Sequence, residues 1–135
     1  MTRKIYTFGY IGQDQELLKR TVEGLGAYLF DIRYSPRSRS LKWNKSSLQA
    51  LLGQRYKWVK AFGNENYNTD GPIKIVDFEA GRLEIDRLSS PVILMCACKH
   101  AEWCHRSVVG EQLVYMGYMV QELNIQPPTG QISLF

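Results

Sequence analysis

Residues 4–33 constrain the fold most tightly, because they read as strand, helix and strand with almost no chain between them. Residues 4–10 (Lys-Ile-Tyr-Thr-Phe-Gly-Tyr) are rich in β-formers and end on a glycine turn. Asp14 is placed to cap a helix whose apolar face is Leu17, Leu18, Val22 and Leu25, with Gly24 and Gly26 marking its end. Residues 28–33 give a second strand, apolar until Asp31. Two strands joined by one helix through short turns form a βαβ unit, which implies parallel pairing and a right-handed crossover.

The later chain repeats this logic. Ser46 or Ser47 begins a short helix through Leu52, and residues 56–60 alternate as a third strand. Residues 62–72 form a loop by composition, and residues 73–88 place Val76, Ala80, Leu83 and Leu88 at helical spacing. Residues 92–95 are a continuous apolar run, residues 101–116 are helical in period, and residues 118–123 supply a last strand. The expected fold is a single α/β domain over residues 1–125. Its sheet is mainly parallel, four- to five-stranded and flanked by helices in a Rossmann-like or flavodoxin-like layering. Residues 126–135 follow as a Pro/Gly spacer and an exposed terminal peptide.

A chain of 135 residues buries a sufficient core without disulfides or metal. Its three cysteines, an odd number crowded between positions 96 and 104, read as reduced thiols rather than a secreted framework. No secretion signal and no membrane-length run is visible, so the expectation is a cytoplasmic protein without a membrane partner. The formal charge of +4 permits nucleic-acid binding without requiring it, and local clustering decides.

That clustering falls on two strand ends. Residues 31–45 hold Arg33, Arg37, Arg39, Lys42 and Lys45 interleaved with Tyr34 and Trp43, a pattern that supplies both phosphate contacts and stacking faces. Residues 96–106 pack Cys96, Cys98, Lys99, His100, Cys104, His105 and Arg106 between a strand and a helix. In a parallel sheet both lie on the carboxyl rim, where ligands collect. Arg33, next to a strand and near Asp31, points into the site, and Arg37 and Arg39 form an outer rim. Tyr10, Trp43, Lys45 and Lys99 complete the ligand-contacting set.

For chemistry, Cys104 or His105 is the candidate nucleophile or acid/base, since a helix start and adjacent positive charge lower a thiol's pKa. Arg33 and Arg106 would stabilise negative charge, and Asp31 would orient a partner. Cys96, at the end of a buried strand, reads as packing. The Cys-x-Cys-x-His-x-x-x-Cys-His spacing matches no common zinc pattern, so no metal ligands are assigned and no cofactor is expected. Counting back from Arg106 also fails the cysteine-phosphatase loop, because the required position holds His100.

Several of these segments together resemble a known family. They are Tyr6-Thr7-Phe8-Gly9-Tyr10, Asp31-Ile32-Arg33 with Pro36-Arg37-Ser38-Arg39, Trp43-Asn44-Lys45, and Cys96-Ala97 spaced from Cys104-His105-Arg106. The family is domain of unknown function 488, and the resemblance extends from residue 4 to about 120. It implies a parallel α/β domain with a site built from the Arg-rich loop and the Cys-His-Arg segment, and it implies no reaction. Relatives commonly carry an acidic residue two positions after the first cysteine, where this chain has Cys98.

A second resemblance lies at the terminus. Gln131-Ile132-Ser133-Leu134-Phe135 is similar to the Gln-Leu-Ser/Asp-Leu-Phe peptides that dock bacterial polymerases and repair proteins on the DNA sliding clamp. Gln131 would exchange amide hydrogen bonds with a pocket rim. Leu134 and Phe135 would bury apolar area worth roughly 1.5 to 3 kcal/mol each. The functional expectation is a DNA- or nucleotide-associated protein of replication or repair, recruited to the clamp by its tail. Two alternatives are a non-catalytic DNA and clamp adaptor, and a small-molecule thiol enzyme without a DNA role.

Overall fold

The computed structural model describes residues 4–97 and 104–125. Five strands form one all-parallel sheet: β1 (Lys4–Gly9), β2 (Tyr28–Asp31), β3 (Tyr56–Trp58), β4 (Val92–Cys96) and β5 (Met119–Glu122), in the order β3-β2-β4-β1-β5. Four α-helices accompany it among the described residues: α1 (Gln15–Leu25), α2 (Lys45–Leu52), α3 (Phe78–Asp86) and α4 (His105–Tyr115). The expected α/β class with Rossmann-like layering is the observed one.

Alternation along the strands builds two cores. Tyr6, Phe8, Leu29, Ile93 and Met95 face Leu18 and Val22 of α1 and Leu48 of α2. Ile5, Phe30, Val92, Leu94 and Cys96 face Ile85 of α3 and Val109 and Leu113 of α4. β4 is buried along its whole length, which explains its unbroken apolar sequence. The crossovers through α1 and α2 run toward β3 on one face, and those through α3 and α4 run toward β5 on the other. All four therefore have one hand. Adjacent β2 and β4 send their chains to opposite faces, which opens a crevice between their carboxyl ends.

Local chemistry sets the helix ends. Asp14 Oδ1 accepts from the N–H groups of Glu16 and Leu17 at 2.7 and 3.3 Å. At the other end Gly26 N–H bonds Glu23 O while Ala27 N–H bonds Val22 O, the paired closure of a Schellman motif. Gly24 lies inside the helix. α2 begins at Lys45, a residue earlier than Ser46, behind Asn44, whose side chain accepts from Ser38 N–H at 2.6 Å instead of capping the helix.

The expected helix over residues 73–88 is shorter, and its face is turned. Residues 73–76 instead run alongside the preceding loop: Ile75 bridges Asn64, and Val76 N–H bonds Gly63 O. Pro72 and the β-branched Ile73, Ile75 and Val76 favour this extended path. Helix α3 starts after Asp77, whose carboxylate accepts from Ala80 N–H at 3.1 Å. Gly81 and Ile85 are its buried residues, whereas Leu83 is 47% exposed. A Cβ on Gly81 would lie 2.5 Å from the Phe62 ring, so a glycine, invisible to hydrophobic counting, forms the contact. Phe62 is itself wholly buried and has no room to retreat. Gly81→Ala should destabilise the fold by about 1–3 kcal/mol in chemical denaturation, despite alanine's better helix propensity.

Candidate functional site

The end of β2 is organised by charge. Asp31 is its last residue, in register with Trp58 of β3 and Met95 of β4, and it is wholly buried. Arg33 folds back onto it side-on: Nε donates to Oδ1 at 2.8 Å and Nη2 to Oδ2 at 2.6 Å. Tyr56, at the start of β3, donates its hydroxyl to Oδ2 at 2.5 Å. The remaining Arg33 nitrogen, Nη1, donates to Tyr10 Oη at 3.4 Å and to Arg37 O at 3.2 Å. Burial opposes the Arg33 charge, but the Asp31 carboxylate more than offsets it, and the guanidinium is held more firmly protonated than usual.

The Asp31–Arg33 pair is close to neutral as a unit, so the excess positive charge at this rim comes from other residues. Arg37 and Lys60 are exposed and Lys45 half-buried. Lys45 Nζ lies 5.0 Å from the centroid of the Trp58 ring, and Lys60 Nζ lies 4.4 Å from that of Tyr34. Trp58 donates its indole N–H to Arg33 O at 2.9 Å, and the Tyr34 and Tyr67 rings stack at 5.3 Å. The Tyr67 loop presses on the Tyr34 segment at Gly63, where a Cβ would fall 2.9 Å from Tyr34 Cα. Tyr34 and Tyr67, with Arg33, Arg37, Asn64 and His105, line a hollow of about 310 Å³ at the β2–β4 crevice.

His105 begins α4 and ties it to β2, with Nε2 at 2.7 Å from Ile32 O. A carbonyl only accepts, so Nε2 carries the proton and Nδ1 is left as an acceptor in the neutral ring. Cys104 Sγ lies 3.7 Å from that Nδ1, a geometry suited to thiol donation, but the cysteine is 2% exposed. The hollow therefore touches His105 and not Cys104.

Other expected residues separate. Arg106 points to the β1–β5 side, where it donates to Cys96 Sγ at 3.0 Å and pairs with Glu122 at 2.9 Å, while Glu122 also accepts from Thr7. Burial works against its charge, and Glu122 and Cys96 restore it, raising its pKa. It thus faces a different hollow from Arg33. Trp43 is 5% exposed and stacked on Tyr10 at 4.8 Å, so its ring is consumed by packing rather than offered to a base. Arg39 is exposed on the outer loop. Lys99, like Cys98 and His100, lies outside the described residues, as do Gln131, Leu134 and Phe135. Among the described residues no three His, Cys, Asp or Glu side chains converge to hold a metal. No helix of the described residues is long and apolar enough to cross a membrane.

Sequence reasoning missed Tyr56, Trp58, Lys60 and Tyr67. The signal was present, since Lys60 follows a strand and Tyr67 sits in a loop, both on the rim that the parallel pattern defines.

A family model with the description "Domain of unknown function DUF488" matches residues 16–113. The match begins in α1 and ends in α4, so it contains the Arg33 segment and His105 and omits β1, β5 and residues 126–135. No curated protein and no solved structure matches the chain significantly.

The buried cluster makes two measurable demands. Asp31→Ala leaves Arg33 buried without its carboxylate and should destabilise the fold by roughly 3–5 kcal/mol in urea unfolding. The Tyr56 hydroxyl is pushed well above its ordinary value of 10.0, by burial first and then by the Asp31 carboxylate. Its contribution is complete below about pH 10 and is lost as pH rises further, because the unfolded chain then releases a proton that the folded chain keeps. Unfolding free energy should therefore fall above pH 10, and less steeply in Tyr56→Phe.

Proposed function

The chain belongs to the Domain of unknown function DUF488 family, whose description assigns no reaction, so we propose a function from the cleft itself. The protein binds a phosphate-bearing ligand, nucleic acid or nucleotide, at the rim of β2 and β3, and it works with DNA in replication or repair. One observation carries this reading: Arg37, Lys45 and Lys60 stand beside the rings of Tyr34, Trp58 and Tyr67 around a cleft at the carboxyl ends of β2 and β3. Cations supply phosphate contacts and rings supply base contacts, and the neutralised Asp31–Arg33 pair holds both in place without competing for the ligand. The terminal residues 131–135 add recruitment to the sliding clamp, on the strength of their sequence alone.

The non-catalytic adaptor is the version of this reading that a specific observation favours. Cys104 is 2% exposed and Arg106 is committed to Glu122 and Cys96, which removes two members of the expected catalytic set from the hollow. An adaptor needs only the rim and the tail. Cytoplasmic residence follows from a role at the replication machinery.

Two assays on the full chain test the reading. DNA affinity should fall steeply with salt, and Arg37→Ala or Lys60→Ala should each lower the log–log salt slope by about 0.7 to 0.9. Binding to the bacterial sliding clamp should disappear when residues 131–135 are removed. Salt-independent affinity, or none, would contradict the phosphate-binding claim, and clamp binding that survives the truncation would contradict the recruitment claim. Cys104→Ser should leave both affinities unchanged if the adaptor version holds.

A further inference from the structure

The hollow over Arg33 does not end there. A wider compartment of about 730 Å³ adjoins it, and Tyr34, Ser35, Arg37 and Tyr67 line both. Along the wide compartment cations and rings alternate. Tyr67 stacks on Tyr34; Lys60 Nζ lies over Tyr34 and within 5.9 Å of the Trp58 centroid; Lys45 covers Trp58 in turn.

Resting on the phosphate-binding reading above, we propose that the ligand is single-stranded nucleic acid, with bases stacked on Tyr67 and Trp58 and phosphates held by Lys45, Lys60 and Arg37. A duplex presents phosphates but keeps its base faces stacked inside, so the rings of Tyr67 and Trp58 gain nothing from it. A single strand offers both groups in alternation, as the cleft does. A single nucleotide would be accommodated by the narrow compartment and would leave the Lys45–Trp58 end unused. Tyr67 is 54% exposed, on a loop fixed by Asn64 Oδ1, which accepts from the N–H groups of Asn66 and Lys74. Its ring is therefore both accessible and held, which limits the ordering lost on binding.

The rings are already covered, and magnitudes decide whether a base displaces what covers them. An exposed lysine–ring contact is worth roughly a two- to fivefold change in an equilibrium. Stacking a base on an aromatic side chain is worth roughly five- to a hundredfold. The lysines lose little on leaving the rings, and the same ammonium groups then meet the strand's phosphates. The free protein thus parks its phosphate-binding cations on the faces that the bases will take.

Fluorescence anisotropy on the full chain tests this with four labelled probes of equal length: a thymidine strand, its abasic counterpart, a hairpin duplex and a uridine ribo-strand. The thymidine strand should bind about tenfold or more tighter than the abasic one, with the duplex no tighter than the abasic strand. Tyr67→Ala should remove most of that advantage and leave abasic affinity within about twofold. Strand binding should also quench tryptophan fluorescence, and Trp58→Phe should lose that quench. A comparable advantage for the ribo-strand over the abasic probe sustains the proposal and identifies RNA as a source alongside DNA. Equal affinity for the thymidine and abasic strands, or preference for the duplex, overturns the proposal while leaving phosphate binding standing. No binding of any probe removes both.

Discussion

The side-on contact between Arg33 and Asp31 is the interaction on which the rest of the rim depends. A carboxylate buried in a parallel sheet is tolerable only if every lone pair is used, and here two nitrogens of Arg33, its backbone N–H and the Tyr56 hydroxyl use them. Such a pair adds little net stability compared with an apolar substitute, so its value is geometric. It fixes where the chain leaves β2, and through Arg33 Nη1 it fixes Tyr10 and the Arg37 carbonyl as well. Trp58 is then oriented by the Arg33 carbonyl. One ion pair thus positions groups from β3, from the loop after β2 and from the residue that follows β1.

The sheet supplies the setting. β2 and β4 are neighbours whose following helices, α2 and α4, pack on opposite faces of the sheet, which places a crevice at their carboxyl ends. His105 closes the back of that space through its bond to Ile32 O. Arg106, one residue on, serves the opposite side of α4, where it links Cys96 of β4 to Glu122 of β5. Adjacent residues at a helix start project about 100° apart, and here that sends His105 to the β2 side and Arg106 to the β5 side.

That geometry explains what was legible in the sequence and what was not. The strands and the parallel rim were legible because strand periodicity and short βα joins leave few alternatives, and Asp14 and Gly26 act within a few residues of themselves. Helix α3 starts later than its apolar spacing suggests because Ile73, Ile75 and Val76 run extended after Pro72, and its face is turned because Gly81, which packs on Phe62, carries no hydrophobic signal. Trp43 read as a free stacking face because sequence does not show that Tyr10 lies against it. Lys60 is marked in the sequence only by its place after a strand, and the pairing of Trp58 and Lys60 with Lys45 and Tyr34 is a matter of distance in space. Asp31 and Arg33 were recognised as a pair because they are two residues apart, the one long-range function here with a short-range signature.

Where the ligand binds is decided by the amide and indole resonances of the isotope-labelled protein during titration with a short thymidine oligonucleotide. Shifts should be confined to Arg37, Lys45, Lys60, Tyr67 and the Trp58 indole N–H, which samples the cleft through its bond to Arg33 O. Shifts gathered instead at Gly110, Val114 and Val120, around the hollow beside β5, would contradict binding in this cleft, as would an unchanged spectrum.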